Sequence, residues 1–310
     1  MTKSAKKQQT PSLLVAWLLG AGRPVLIVVI LAGLFSGGWY LAWRRLGPRL
    51  LGSPEYLVRP ENVEISPPPH WIHSDIRAEA FLQPTLDGSL SLMDDDLVER
   101  IKTAFKEHPW VSGVRSVTKS HPAPASAVSV RVELEYRQPV CMVDVPGTAD
   151  SPRATLPVDA YGVLLPTADF TEHEAATRYL HLIRIDYVPK GPFGRRWSDP
   201  RVIGGAEIAA ALGPVWEMMK LNRIEAMPDD SAGNATARPS PTEPVFALLT
   251  RVGTRITWGY APGANVLGEQ PAAEKVARLR QYFDDYDSLD AADGKPQQFD
   301  VRTLGQATSR

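Results

Sequence analysis

Residues 25 to 43 read Val-Leu-Ile-Val-Val-Ile-Leu-Ala-Gly-Leu-Phe-Ser-Gly-Gly-Trp-Tyr-Leu-Ala-Trp and carry no charge. No other stretch restricts its surroundings as strongly. Coiled as a helix at about 1.5 Å per residue it spans roughly 28 Å, close to the ~30 Å hydrocarbon core of a bilayer. Trp39, Tyr40 and Trp43 gather at one end, where amphipathic rings favour the headgroup layer, and Arg44 and Arg45 follow. The pattern predicts a single-pass transmembrane helix over 25–43. A cleavable signal peptide competes with this reading, since Lys3, Lys6 and Lys7 precede a short apolar run from Leu13 to Gly22. Arg23-Pro24 then leads into the second, longer run without a clean small-x-small site, which favours an uncleaved anchor. Basic residues flank the run on both sides, so orientation rests on size. The short basic tail, 1–24, is expected in the cytoplasm and the bulk of the chain outside. Gly33 and Gly37 form a small-x3-small pair that admits a second helix, although glycine is common in membrane helices anyway.

Composition removes several function classes. A net charge of −1 is unlike a nucleic-acid surface, which needs a clustered basic excess. Cys141 is the only cysteine, so no intrachain disulfide and no thiolate metal site can form. The six histidines are scattered, and the one close pair, His70 and His73, lies in a proline-rich turn. The acidic run Asp284 to Asp290 fails as a calcium loop, because a start at Asp285 puts Leu289 at position 5 and Asp290 at position 6. Gly-x-Ser-x-Gly, His-Glu-x-x-His and a phosphate-cradling loop are absent. Gly191 to Trp197 reads as a turn with two cations and an exposed-looking Trp, either a contact patch or, as favoured, a loop packing one ring, and Asn234-Ala-Thr236 matters as a glycosylation acceptor only in a eukaryotic secretory lumen. The chain is expected to be non-enzymatic, with no cofactor, metal, nucleic acid or small-molecule substrate.

Past the apolar run, residues 44–59 hold Gly47, Pro48, Gly52 and Pro54 and read as an extended stalk. In 60–138, Asn62 to Ile65 alternates as a short strand, and Ser74 is placed to cap a helix over Asp75 to Leu82. Leu97, Ile101 and Phe105 recur every four residues behind Asp94 to Asp96, and His108-Pro109 stops that helix. Strands follow at Trp110 to Val117 and Ala127 to Tyr136. The second puts Val128, Val130, Val132 and Leu134 on one face, with Arg131, Glu133 and Glu135 on the other. The order is β-α-α-β-β. Residues 139–310 carry short apolar runs at Val140 to Val145, Thr155 to Leu165, Leu182 to Val188, Val245 to Val252 and Thr254 to Tyr260. These predict a mostly antiparallel β domain. Helices are expected over Ile208 to Leu221, subject to a break at Gly213-Pro214, and over Ala272 to Tyr286 with Lys275, Arg278 and Arg280 on its surface. The polar, low-complexity stretch 228–244 is expected to be a disordered insertion.

Taken in order, these features resemble the FtsQ/DivIB family of bacterial cell-division proteins. The likeness rests on Leu97…Ile101…Phe105, on Pro109-Trp110-Val111, and on the alternating strand that exits through Arg137-Gln138-Pro139-Val140. Leu156-Pro-Val-Asp159-Ala-Tyr-Gly162-Val-Leu-Leu-Pro166 adds a hairpin of the family's kind, and Gly268 to Arg278 followed by Phe299-Asp300-Val301-Arg302-Thr303 is similar to its closing helix and last strand. The chain departs from the pattern in longer turns at 120–126 and 146–153 and in the insertion at 228–244.

The resemblance implies an α+β architecture: an N-terminal transmembrane helix, a small POTRA-like β-α-α-β-β domain, then a β domain closed by a helix and a strand. It also implies a membrane-anchored divisome scaffold at the division site of the bacterial inner membrane, linking cell-division proteins to septal peptidoglycan synthesis. Phe299, Asp300, Val301, Arg302 and Thr303 would then receive FtsB-like and FtsL-like bitopic coiled-coil partners, with other divisome members contacting the POTRA-like sheet. An exposed sheet edge can accept a partner strand. The competing reading is a POTRA-bearing envelope-assembly or protein-transport factor, against which stand the single POTRA-like unit and the lack of barrel-type strands.

Overall fold

The computed structural model describes residues 23–51, 57–120, 130–147, 153–227, 243–264 and 266–304. The expectations for the tail, for the longer turns at 120–126 and 146–153, for the insertion at 228–244 and for Asn234 to Thr236 fall wholly or mainly outside these residues.

Two expectations about the N-terminal third are corrected. Among the described residues no helix is long and apolar enough to cross a membrane, so the transmembrane helix expected over 25–43 is not supported. A helix does occupy the stretch, α1 (Arg23–Leu51). Gly33, Ser36, Gly37 and Gly38 dilute its apolar stretch. Nor are residues 44–51 an extended stalk: α1 continues through Gly47 and Pro48 to Leu51, although Pro48 brings no N–H to the ladder. No heavy atom of a neighbouring element lies within 4 Å of where a Cβ would stand on Gly33, Gly37 or Gly38.

The next segment has the expected β-α-α-β-β order: β1 (Val63–Ile65), α2 (Ile76–Phe81), α3 (Leu97–Glu107), β2 (Val111–Lys119) and β3 (Val130–Tyr136). The strands pair as β1-β3-β2, with β1 parallel and β2 antiparallel to β3. Leu97, Ile101, Ala104 and Phe105 form the buried stripe of α3, and Val130, Val132 and Leu134 form that of β3. Together with Ile76, Ala80 and Trp110 they build one core, in which each large apolar side chain contributes about 2–3 kcal/mol. The cap of α2 is Asp75, whose side chain accepts from Ala78 N at 3.1 Å, and not the expected Ser74. Ser74 points its donors elsewhere, as described below.

The remaining strands form a seven-stranded sheet: β4 (Pro139–Pro146), β5 (Arg153–Asp159), β6 (Leu180–Ile183), β7 (Leu221–Met227), β8 (Val245–Thr250), β9 (Arg255–Tyr260) and β10 (Gln298–Asp300). Their spatial order is β10-β9-β8-β7-β6-β4-β5. The expectation of a mostly antiparallel sheet is corrected to a mixed one. β4/β5, β7/β8 and β8/β9 are antiparallel, whereas β4/β6, β6/β7 and β9/β10 are parallel. The parallel pairs arise because helices return the chain to the same end of the sheet: α4 (Glu172–Thr177) before β6, α5 (Pro200–Leu212) and α6 (Val215–Met218) before β7, and α7 (Ala272–Tyr286) before β10.

Helix α5 begins eight residues earlier than the expected Ile208. Asp199 caps it through Arg201 N at 2.8 Å, and Pro200 fills the first turn, where no N–H is needed. Gly204 and Gly205 let it lie close on the sheet. A Cβ on Gly205 would stand 2.6 Å from Leu182 Cδ1, and one on Gly204 would stand 2.7 Å from Phe246 Cζ. The chain breaks at Gly213-Pro214, and β7, unpredicted from the sequence, follows α6 almost directly. The strand expected over Leu182 to Val188 is instead Leu180–Ile183, and Arg184 ends it in the left-handed region at φ 71°.

Candidate partner-binding site

The residues expected to receive a partner lie at one edge of the seven-stranded sheet, but they do not form one strand. β10 covers Gln298 to Asp300 only, and residues 301–304 turn away. The turn is closed by Asp300. Its carboxylate accepts Arg302 N at 2.9 Å and pairs with the Arg302 guanidinium at 2.6 Å, and its carbonyl accepts Thr303 N and Thr303 Oγ1 at 3.2 and 3.1 Å. Burial works against the Asp300 charge, but the hydrogen bonds and charge of Arg302 outweigh it and hold that carboxyl below the usual range. The Arg302 carbonyl is tied down in turn by Arg278 Nη1 at 2.9 Å and Gln270 Nε2 at 3.4 Å.

The five residues therefore divide. Val301 is fully buried, and its N–H donates to Thr257 O at 3.1 Å, so its side chain belongs to the core and is not offered to a partner. Phe299 is half-buried and stacks on Tyr282, ring centres 5.1 Å apart. Asp300, Arg302 and Thr303 keep some exposure. Gln297 O accepts Arg255 N, and Val301 N reaches Thr257 O. Backbone groups alternate along a strand, so Phe299 also faces β9, while Gln298 and Asp300 aim theirs outward. The Asp300 carbonyl is already taken by Thr303. A partner strand would find the Gln298 N–H, the Gln298 C=O and the Asp300 N–H.

Support for this edge comes from α7, where one expectation is reversed. Lys275, placed on the surface by the helical pattern, is 1% exposed. It pairs with Glu269, reaches Tyr260 O at 3.4 Å and sits 4.8 Å over the Trp258 ring. Burial lowers its pKa, opposed by the Glu269 hydrogen bond and charge. A helical wheel marks Lys275 as polar and cannot show that the loop at 269 supplies its counter-ion.

The middle of the sheet carries a charge cluster. Glu225 on β7 is 3% exposed and is held by both Arg184 and Arg255. Sequence reasoning missed this cluster because it missed β7; the alternation Arg223, Glu225, Met227 against Ile224 and Ala226 was the available signal.

A second feature is the junction between the two cores. Asp169, 6% exposed, sits among residues of the seven-stranded half but takes all its donors from the other half. It accepts His73 N at 2.7 Å and Ser74 N at 2.6 Å, along with Ser74 Oγ at 3.2 Å and Trp110 Nε1 at 2.7 Å. Trp71 Nε1 donates to Arg137 O at 3.1 Å, and Arg137 Nη1 pairs with the buried Asp159 at 2.7 Å. Beside this clamp run two open cavities, of about 310 and 780 Å³, which share Arg178 and Tyr179. Trp197, from the Gly191 turn, is buried with its Nε1 on Tyr187 OH, so that turn does pack a ring.

Two of the histidines, His181 and His108, are engaged structurally. His181 uses Nδ1 on Asp144 at 2.8 Å and Nε2 on Ala175 O at 3.0 Å. His108 uses Nε2 on Glu79 and Nδ1 as acceptor for Trp110 N. No group of three or more His, Cys, Asp or Glu that could hold a metal occurs among the described residues. In comparisons with known proteins, no family model matches the chain and no curated protein matches it.

Proposed function

We propose that the chain is a non-catalytic scaffold of the FtsQ/DivIB kind, taking up small coiled-coil cell-division proteins on the β10 edge and other division proteins on its β-α-α-β-β half. The observation that carries the reading is the outward row at Gln298 and Asp300, held rigid by Asp300–Arg302, Arg278 and Gln270. The proposal concerns the folded body, 57–304. The resemblance would place that body outside the cytoplasmic membrane at the division site, and the proposal needs no membrane-crossing helix.

A photo-crosslinking residue at Gln298, which is exposed, tests this in cells producing the full chain. Adducts with FtsB-like or FtsL-like proteins are expected. Adducts confined to outer-membrane assembly factors would favour the alternative of an envelope-assembly or transport role. β2 is the observation on that side, a nine-residue edge strand three times the length of β10. Its two register irregularities twist it away from simple strand addition.

A further inference from the structure

We infer that the cleft along the domain junction is a docking groove for an extended, acidic, proline-containing peptide of a partner protein. The site is independent of the β10 edge. The larger cavity, about 780 Å³, is lined by the rings of Tyr136, Tyr161, Tyr179 and Trp216 and by Pro139 and Pro214. Tyr161 presents 70% of its surface. Aromatic rings lining an open groove suit a polyproline II segment, which is already extended and loses little entropy on binding.

Charge narrows the choice. The cations on this wall are Arg137 and Arg178, and the only carboxylate, Asp159, is already consumed by Arg137 Nη1, Tyr161 N and Val163 N. Arg178 is exposed and held only by Glu174 at 3.4 Å, across a surface where a competing carboxylate could replace it. Arg137 commits one end of its guanidinium to Asp159, and its Nε is shielded from solvent with no hydrogen-bond partner. The larger cavity therefore selects negative charge next to apolar, extended backbone. The smaller cavity, past Phe170 and Trp71, is lined by Asp169, Glu174 and Glu217, so the acidic preference belongs to the larger cavity alone.

The test uses the full chain and two fluorescein-labelled synthetic peptides of equal length, one of repeating Glu-Pro-Pro and one of repeating Lys-Pro-Pro, read by fluorescence anisotropy. The acidic peptide is expected to bind at least about tenfold more tightly. Arg178→Glu, an exposed change that spares the Asp159 pair, should erase or reverse that preference, and Tyr161→Ala should weaken both peptides. Gln298→Pro at the other site should leave binding unchanged, so a failure here and a failure of the scaffold reading are separable. Equal binding of the two peptides, or indifference to Arg178→Glu and Tyr161→Ala, overturns the inference. A carboxylated oligosaccharide that binds at these residues while the acidic peptide does not would overturn it too.

Discussion

Replacing the buried Asp169 by alanine should loosen the junction of the two halves. The carboxylate accepts four donors from the opposite half, and one of them, Trp110 Nε1, belongs to a fully buried ring. An indole N–H left without an acceptor in a dry site costs about 1–3 kcal/mol. The His73 and Ser74 amides are only partly buried and can recover water, so their loss adds roughly 0.5–1 kcal/mol each. The sum is about 2–5 kcal/mol, or a fall in Tm on the order of 10 °C for a folded body of this size. Asp169→Asn keeps one oxygen for the His73 and Ser74 amides but points an NH2 at Trp110, and should cost roughly half as much. Urea unfolding followed by tryptophan fluorescence and far-UV circular dichroism should become non-coincident in Asp169→Ala as the halves uncouple. A change below about 0.5 kcal/mol with coincident transitions would refute the clamp.

Three further outcomes follow from packing and charge. Gly205→Ala should cost about 1–3 kcal/mol by driving a methyl into Leu182, and Leu182→Ala should recover part of that in a double-mutant cycle measured by urea midpoints. Cys141 is fully buried, and burial, helped by Asp159, pushes its thiol up to about 12, so a thiol reagent at pH 8 should label it only at the rate of unfolding. His108 and His181 should give opposite pH slopes. Burial, against Glu79, lowers His108, so its stabilisation is full above the unfolded value of about 6.5 and is lost as pH falls. The Asp144 hydrogen bond raises His181 against burial, so its stabilisation is full below about 6.5 and is lost as pH rises through its folded pKa. In His181→Asn the rise of stability from pH 5 to 7 should therefore steepen, and unchanged or shallower urea midpoints across that range would contradict the assignment.

Periodic stretches were legible in the sequence. Leu97, Ile101 and Phe105 mark α3, Val130 to Leu134 marks β3, and Ala272 to Tyr286 coincides with α7. Elements whose periodicity is overridden by contacts distant in sequence were not. Gly204-Gly205 lowers the helical signal of α5 because the sheet demands a bare backbone there, while Asp199-Pro200 is a start signal legible in the sequence. β7 hides behind α6 without a turn signature, and with it went the Glu225 cluster. The direction of β6 and β7, and so the mixed sheet, depends on which end of the sheet α4 and α5 return to, and no local pattern encodes that. At the candidate site the sequence marked the right segment, but it could not show that Val301 faces inward or that Asp300 and Arg302 end the strand after three residues. Lys275 and Asp169 find partners that no spacing rule connects.

Gln298→Pro tests the central claim most directly. Proline is tolerated on an edge strand where the N–H faces outward, so the change removes one outward donor and leaves the β9 pairing in place. Affinity purification of the full-length variant should lose the coiled-coil cell-division partners retained by the unaltered chain, while its thermal transition stays within about 2 °C. Undiminished recovery of those partners from a folded Gln298→Pro protein would contradict a scaffold that binds through the β10 edge.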